Sequence, residues 1–217
     1  MTKAASANPS RACSSEAVPF RPVRTIGGGV GRGREVDGKA VEALASQVRN
    51  LIRDIPNFPK PGVLFKDLMP VFADGPTHRA LIDGLASRYA ARQVDAVVGI
   101  ESRGFLLAAP LAYALGCGTV VARKPGKLPG ETRRVSYALE YGEDELHMHL
   151  DALREGAQVV VVDDLLATGG TMRATCDLVE HSKAHVLESV TVVELSFLNG
   201  RDRLGPYDFF SLVQYLD

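Results

Sequence analysis

The sequence predicts an α/β domain with a doubly wound, mainly parallel sheet and flanking helices. The first observation is a run of four valines at residues 159–162, followed directly by two aspartates. Such an apolar, β-branched run is typical of a strand covered on both faces, as in parallel sheets. The second is the alternation of helical and strand patterns along residues 37–217, which favours crossover connections between parallel strands.

The elements follow one another without an internal repeat. Apolar residues at helical spacing predict a first helix over residues 41–55, which Asp37 caps. The next predicted elements are a strand at 63–68, a helix at 80–91, a strand at 96–100, a helix at 104–115 and a strand at 119–123. This order is the one expected of a doubly wound sheet.

Residues 124–153 interrupt the alternation. The stretch is long, punctuated by glycine and partly alternating, which predicts a flexible arm or hairpin that forms a hood over a site. The valine strand, its following helix and a final strand at 189–195 complete the predicted domain.

The first 36 residues differ in composition from the rest. They are rich in Ala, Ser, Gly and Arg and lack helical periodicity, so we expect a disordered extension at 1–36 and a folded domain at 37–217. A transit peptide has a similar composition and stays an alternative. The glycine cluster at 27–33 is no nucleotide loop, because no strand precedes it and the Lys-Ser/Thr pair is missing.

Bulk composition favours a soluble, cytoplasmic enzyme. Lysine plus arginine number 25 and aspartate plus glutamate 26, so the net charge of −1 gives no reason to expect a nucleic-acid partner. Cys13, Cys117 and Cys176 are far apart and odd in number, which fits reduced thiols. No apolar run reaches the length of a membrane span, so we expect no membrane partner.

The end of the valine strand predicts a sugar-phosphate site. The loop residues Ala167, Thr168, Gly169, Gly170 and Thr171 carry little bulk, so their N–H groups can surround an anion where a helix begins. Asp163 and Asp164 precede them and can accept hydrogen bonds from sugar hydroxyls. An ordinary strand, turn and capped helix is the alternative. Two adjacent acids beside a core argue against it, because buried carboxylates need partners.

Cations follow two other predicted strands. Residues 101–104 end one strand and open a helix, so their backbone N–H groups and Arg103 can meet an oxyanion. Arg123, Lys124 and Lys127 follow the next strand. Each cation alone is more often a solvated surface residue. Their placement at adjacent strand ends predicts an anion site opposite the glycine loop.

Residues 159–171 resemble the 5-phosphoribosyl 1-pyrophosphate (PRPP) signature of the type I phosphoribosyltransferases, and in detail the members of that family that act on adenine. Four further stretches match in the family's order, at residues 58–67, 99–105, 123–130 and 136–142. The resemblance covers about residues 40–217. It implies the family's α/β fold, a pentosyltransferase activity that makes AMP and pyrophosphate from adenine and PRPP, and a homodimer.

The resemblance also implies roles for particular residues. Ribose and 5-phosphate contacts fall on Asp163, Asp164 and the loop residues 167–171. Pyrophosphate contacts fall on Ser102, Arg103, Arg123, Lys124 and Lys127. Adenine contacts fall on Leu64, Phe65, Lys66 and Leu166, although the family commonly has arginine where Lys66 stands. Glu140 matches the loop glutamate that handles the base proton, and Tyr141 covers the site. Mg²⁺ is expected to act mainly through substrate and water, with Asp163, Asp164 and Glu101 nearby and no residue assigned as a direct ligand.

Base identity depends on Ala167. Family members that act on 6-oxopurines typically carry an aspartate there, so its absence favours adenine. Two alternatives remain: a phosphoribosyltransferase for hypoxanthine, xanthine or orotate, and a PRPP-sensing regulator without catalysis. The regulator would need a DNA-binding helical domain, which the first 36 residues do not resemble. His147 and His149 share a predicted strand face but lack a third ligand, so we expect no metal there.

Overall fold

The computed structural model describes residues 38–138 and 143–217. The helices are α1 (Gly38–Leu51), α2 (Met69–Ala73), α3 (Gly75–Arg88), α4 (Phe105–Leu115), α5 (Gly170–His181) and α6 (Gly200–Leu204). The strands are β1 (Arg53–Pro56), β2 (Leu64–Asp67), β3 (Ala96–Ile100), β4 (Gly118–Ala122), β5 (Thr132–Ala138), β6 (Glu143–His149), β7 (Gln158–Leu166), β8 (His185–Leu195) and β9 (Phe209–Tyr215). A parallel sheet of five strands in the order β4-β3-β7-β8-β9 forms the centre of the domain.

The valine run is the buried centre of the sheet, as predicted. Residues 159–162 lie in β7 between β3 and β8, and all four valines are fully buried. Val160 and Val162 pack on one core, while Val159 and Val161 pack on a second core. Successive side chains of a strand point to opposite faces, so the run contributes to both layers.

Helices cover both faces of the sheet, which confirms the doubly wound class. The first core contains Val48 of α1, Leu81 of α3 and Leu111 of α4. The second contains Leu178 of α5 and Leu204 of α6. Among the described residues, no helix combines the length and apolarity needed to cross a membrane.

The predicted arm is an antiparallel hairpin of β5 and β6. Its inner face belongs to the second core, because Leu146 and Met148 are fully buried there. A bridge between Arg123 and His147 joins the hairpin to the end of β4. The described strands of the arm are therefore packed, while residues 139–142 at its turn lie outside the described residues.

Several predicted boundaries were wrong. The first helix ends at Leu51, and Ile55 belongs to β1, which pairs with β2 in a separate hairpin. Pro56 explains this, because the residue before a proline disfavours helical geometry. The short helix α2 was not predicted, and β9 rather than β8 is the last strand of the sheet. Asp37 and the extension at 1–36 lie outside the described residues.

Candidate active site

Two adjacent carboxylates lie near the C-terminal end of β7. Asp164 is only 3% exposed, and Arg103 Nε lies 2.6 Å from its Oδ2 atom. Asp163 is half-buried, and its Oδ1 atom accepts a hydrogen bond of 2.9 Å from the Asp164 amide. The strand continues past both acids to Leu166. Asp163 and Asp164 therefore belong to the last residues of β7 and not to the loop that follows it.

Burial dominates the electrostatics of this pair. It raises the pKa of Asp163 well above its ordinary value, and the neighbouring Asp164 charge raises that pKa further. Burial also raises the pKa of Asp164, while the Arg103 guanidinium offsets part of the increase. Within the described part of the chain, Asp164 Oδ2 is buried without a hydrogen bond of normal geometry. This one oxygen, paired with Arg103, could accept a further hydrogen bond of the kind that a sugar hydroxyl supplies.

The glycine loop turns from β7 into α5. Gly169 precedes the helix with φ = +82°, a left-handed conformation that favours glycine. Its missing Cβ also lets the Gly200 backbone approach, and a Cβ at Gly200 would in turn overlap the Ala167 carbonyl. The first N–H groups of α5 have no acceptor within the helix, so they are available to an anion, as the sequence predicts.

The segment from Glu101 to Gly104 lies at the C-terminal end of the neighbouring strand β3. A Cβ at Gly104 would come within 2.7 Å of the Ile100 nitrogen and 2.8 Å of the Val162 carbonyl oxygen. Only glycine therefore allows this turn to approach β7 so closely. Ser102 is exposed on the same turn.

Glu101 anchors the cations that follow β4. Its carboxylate accepts hydrogen bonds from Arg123 Nε at 3.2 Å and from the Lys124 amide at 3.0 Å. Arg123 also donates to the Lys127 carbonyl oxygen at 3.0 Å. Burial acts to raise the pKa of Glu101, but these donors lower it on balance. Glu101 is thus paired within the protein. Its role near magnesium, expected from the sequence, stays a prediction.

The predicted base-binding residues separate into two groups. Phe65 lies with its ring centroid 5.2 Å from Arg103 Cζ and makes an edge contact with Phe58, with ring centroids 5.0 Å apart. Lys66 instead forms an ion pair of 2.8 Å with Asp54, and its ammonium lies 4.1 Å from the Tyr215 ring centroid. Phe65 therefore joins Arg103 and Asp164, whereas the Lys66 charge is held by other residues.

The remaining predicted residues are distributed as follows. Leu64 is half exposed on the β1–β2 hairpin, and Leu166 is buried in the second core. Glu140 and Tyr141 lie outside the described residues. Among the described residues, no group of three or more His, Cys, Asp or Glu side chains is arranged to hold a metal ion.

Sequence reasoning missed two groups beside the glycine loop. The hydroxyl of Tyr137, on the inner face of the arm, lies 3.3 Å from Thr171 Oγ1. Behind the loop, Arg201 of α6 makes two hydrogen bonds, of 2.7 and 2.8 Å, to the buried Glu194 carboxylate. Tyr137 lies in the matching stretch at 136–142, but nothing in the sequence indicated its contact with Thr171. The pairing of Arg201 with Glu194 has no local signal.

The parallel sheet, with acids and a glycine loop at one edge, defines a chain of the phosphoribosyltransferase class. The family model for the phosphoribosyl transferase domain matches residues 73–213. An adenine phosphoribosyltransferase from Roseiflexus sp. strain RS-1 is 55% identical over 172 residues, which cover 79% of this chain and 100% of the relative.

Solved structures agree with this match. The adenine phosphoribosyltransferase of Thermoanaerobacter pseudethanolicus superimposes with a TM-score of 0.77 at 48% identity, covering 79% of this chain and 99% of that one. The Saccharomyces cerevisiae enzyme, in complex with adenine and an imino-altritol bisphosphate, gives 0.75 at 40% identity with the same coverage of both chains. The chain belongs to the phosphoribosyltransferase family, in its adenine phosphoribosyltransferase branch.

Proposed function

We propose that the chain transfers the phosphoribosyl group of PRPP to adenine, giving AMP and pyrophosphate, as a pentosyltransferase of purine salvage. The observation that carries this proposal is the position of Asp164, buried beside Arg103 and three residues before the glycine loop. A sugar that carries a terminal phosphate satisfies both features at once. Its hydroxyls supply donors to the acids, and its phosphate meets the N–H groups at the start of α5.

The carboxylates also suit the reaction. The anomeric carbon becomes cationic as its bond to pyrophosphate lengthens, and a ring nitrogen of adenine forms the new bond on that carbon. When ionised, Asp163 and Asp164 would supply negative charge beside this carbon if the ribose lies against them. Fixed charges of this kind stabilise a transition state strongly in a site that excludes water.

Pyrophosphate release needs cations and donors on the opposite side of the sugar. Ser102 and Arg103 at the end of β3 and the cations after β4 would supply them. Glu101 holds Arg123 and the Lys124 amide in fixed positions, so the basic segment is organised before the substrate arrives. Pre-organisation lowers the cost of ordering side chains when the ligand binds.

Adenine would lie between Phe65 and the arm. Phe65 offers an apolar ring beside Arg103, and Ala167 leaves no acid to handle a proton on a 6-oxopurine. We assign the proton transfer to Glu140 and the cover of the site to Tyr141, on the resemblance of residues 136–142 to the family motif. Leu64, Lys66 and Leu166 are proposed adenine contacts on the same ground.

Magnesium fits the donor set of the site. Asp163 and Asp164 are oxygen donors, and the buried Oδ2 atom of Asp164 lacks a normal hydrogen bond. Mg²⁺ prefers oxygen ligands and keeps several waters, so these two acids would hold it through sugar hydroxyls and water. When bound, it neutralises charge on the departing pyrophosphate.

Three broader features are proposed with the activity. A homodimer follows from the family resemblance. A cytoplasmic location agrees with cysteines at 13, 117 and 176 that show no disulfide spacing. No nucleic-acid or membrane partner is assigned, since the net charge of −1 favours neither.

The test is conversion of labelled adenine to AMP by the purified full chain with PRPP and Mg²⁺. The comparison protein is the double variant Asp163→Asn/Asp164→Asn, which keeps the shape of both side chains and removes their charge. We expect AMP from the wild type and a loss of at least a hundredfold in kcat/KM in the double variant. Equal activity of the two proteins would contradict the role of the carboxylates, and no AMP from the wild type would contradict the function.

A further inference from the structure

A chain of polar contacts joins the arm to both proposed anion sites. Thr171 Oγ1 of the glycine loop donates to the Tyr137 hydroxyl at 3.3 Å. Tyr137 in turn donates to Asp144 Oδ2 at 3.2 Å. The same Asp144 carboxylate pairs with the Lys124 ammonium. Lys124, Asp144, Tyr137 and Thr171 therefore connect the proposed pyrophosphate side to the 5-phosphate side.

The fold fixes this chain of contacts in place. Tyr137 and Asp144 lie opposite each other in the register of β5 and β6. The Tyr137 ring packs against the second core, beside buried Leu146 and Met148 on the same face of the hairpin. The Tyr137 hydroxyl is thus held at the start of α5 by the packing of the described strands.

The charge state of Asp144 sets the direction of the hydrogen bonds. Burial acts to raise the pKa of Asp144, but Lys124 and the Glu145 amide lower it on balance. The carboxylate is therefore ionised and only accepts hydrogen bonds. Tyr137 must give its one proton to Asp144, so its oxygen is left to accept the proton of Thr171.

This direction matters for Thr171. Thr171 is the second residue of α5, so the residue four positions earlier lies before the helix and offers its hydroxyl no helical carbonyl acceptor. The Tyr137 oxygen accepts the hydrogen bond of the Thr171 hydroxyl and turns it toward the arm. Both hydroxyl contacts are longer than an ordinary O–H···O bond, so Thr171 can exchange Tyr137 for a stronger, charge-assisted bond to a phosphate oxygen.

We propose that Tyr137 is a positioning residue for the 5-phosphate of the substrate, acting through the hydroxyl of Thr171. This inference rests on the proposed function, because it assumes that the glycine loop receives that phosphate. Tyr137 orients Thr171 before the ligand arrives and ties the inner face of the arm to the loop. The arm therefore contributes to phosphate binding from its packed strands.

The experiment is calorimetric titration of the full chain with ribose 5-phosphate and, separately, with pyrophosphate, both with Mg²⁺. The variant is Tyr137→Phe, which keeps the packed ring and removes the hydroxyl. The control is Ser136→Ala, which removes a neighbouring exposed hydroxyl that bonds Glu145 on the outer face. We expect the Kd for ribose 5-phosphate to rise about threefold to tenfold in Tyr137→Phe, the cost of about one hydrogen bond. The pyrophosphate Kd should stay within twofold, and the control should change neither.

A second comparison tests whether Tyr137 acts through Thr171. In a Thr171→Val background, which itself weakens ribose 5-phosphate binding, adding Tyr137→Phe should change the Kd less than twofold. An undiminished effect in that background would overturn the inference. So would an unchanged Kd in Tyr137→Phe, or an equal loss for both ligands. If Tyr137→Phe does not fold, ribose 5-phosphate binding by Thr171→Val equal to that of the wild type would overturn the inference. A wild type that binds ribose 5-phosphate but makes no AMP would contradict the proposed function alone.

Discussion

The guanidinium of Arg103 lies 2.6 Å from the buried carboxylate of Asp164. The same group lies 5.2 Å from the Phe65 ring, so one side chain joins the proposed ribose pocket to the proposed base pocket. Arg103 is thus the single described cation that contacts both halves of the site.

Replacing Arg103 should weaken both folding and activity. In Arg103→Met, Asp164 loses the charge that offsets its burial, and removing one partner of a largely buried pair is strongly destabilising. Because Arg103 itself is partly exposed, we expect about 1–3 kcal/mol of lost stability and a drop of at least a hundredfold in kcat/KM. Thermal unfolding and steady-state kinetics measure the two effects. Arg134→Met, at an exposed position of the arm, is the control. Equal melting temperatures for Arg103→Met and the control would contradict this account.

Asp163→Asn should stabilise the ligand-free chain while it reduces activity. The pKa of Asp163 is raised in the folded state, so its contribution to stability is full below its ordinary pKa and is lost as pH rises through the raised pKa. The variant never ionises there and avoids that loss. Its gain in melting temperature should therefore be near zero at pH 4 and grow to about 2–4 °C at pH 8, roughly 1 kcal/mol.

The matched control for this prediction is Asp151→Asn at an exposed position. It removes the same charge from the chain without touching the site. A gain in melting temperature of Asp163→Asn that falls with rising pH would contradict the raised pKa of Asp163. So would an equal gain in Asp151→Asn.

Gly200→Ala should disturb the glycine loop from behind. A Cβ at Gly200 would overlap the Ala167 carbonyl and lie 3.1 Å from Leu166 Cγ, and α6 cannot retreat easily while Arg201 holds Glu194. We expect the KM for PRPP to rise at least tenfold, with a stability loss of about 1–3 kcal/mol. Gly75→Ala is the control, because nothing lies within 4 Å of its new methyl group. If both variants have the KM of the wild type, α6 does not support the loop.

Glu140→Gln should separate chemistry from binding. General acid–base catalysis contributes about a hundredfold to ten-thousandfold, so kcat should fall in that range while PRPP affinity changes little. Single-turnover rates and a PRPP titration measure the two quantities. Unchanged turnover would remove Glu140 from the mechanism and leave the fold and the PRPP site intact.

The sheet and the glycine loop are predictable because their signals are local. Residues 159–171 contain a buried strand, two acids and a helix start in one continuous stretch, and the structure confirms the strand and the helix. The basic segment was predicted from its position after a strand, and the parallel pairing of β3 with β4 and β7 brings it to the same edge. Strand ends that share an edge are expected once the fold class is known.

The contacts that support the site are not predictable in this way. Tyr137 meets Thr171 across 34 positions of sequence, and that contact depends on how the arm packs on α5. The alternation of the arm predicted a flexible hairpin, yet Leu146 and Met148 bury its inner face. The resemblance grouped Lys66 with Phe65, whereas adjacent residues of a strand point to opposite faces. Contacts of this kind depend on tertiary packing, which periodicity does not record.

The most direct test of the central claim is pyrophosphate release from PRPP and Mg²⁺ by the purified full chain, with adenine, hypoxanthine, guanine, xanthine and orotate supplied in parallel. The account predicts release with adenine and none above background with the other four bases. Family members that act on 6-oxopurines typically carry an aspartate at the position of Ala167. Release with another base would keep the PRPP site and contradict the assignment of adenine. Binding of PRPP without release for any base would contradict catalysis itself and favour a PRPP-sensing regulator.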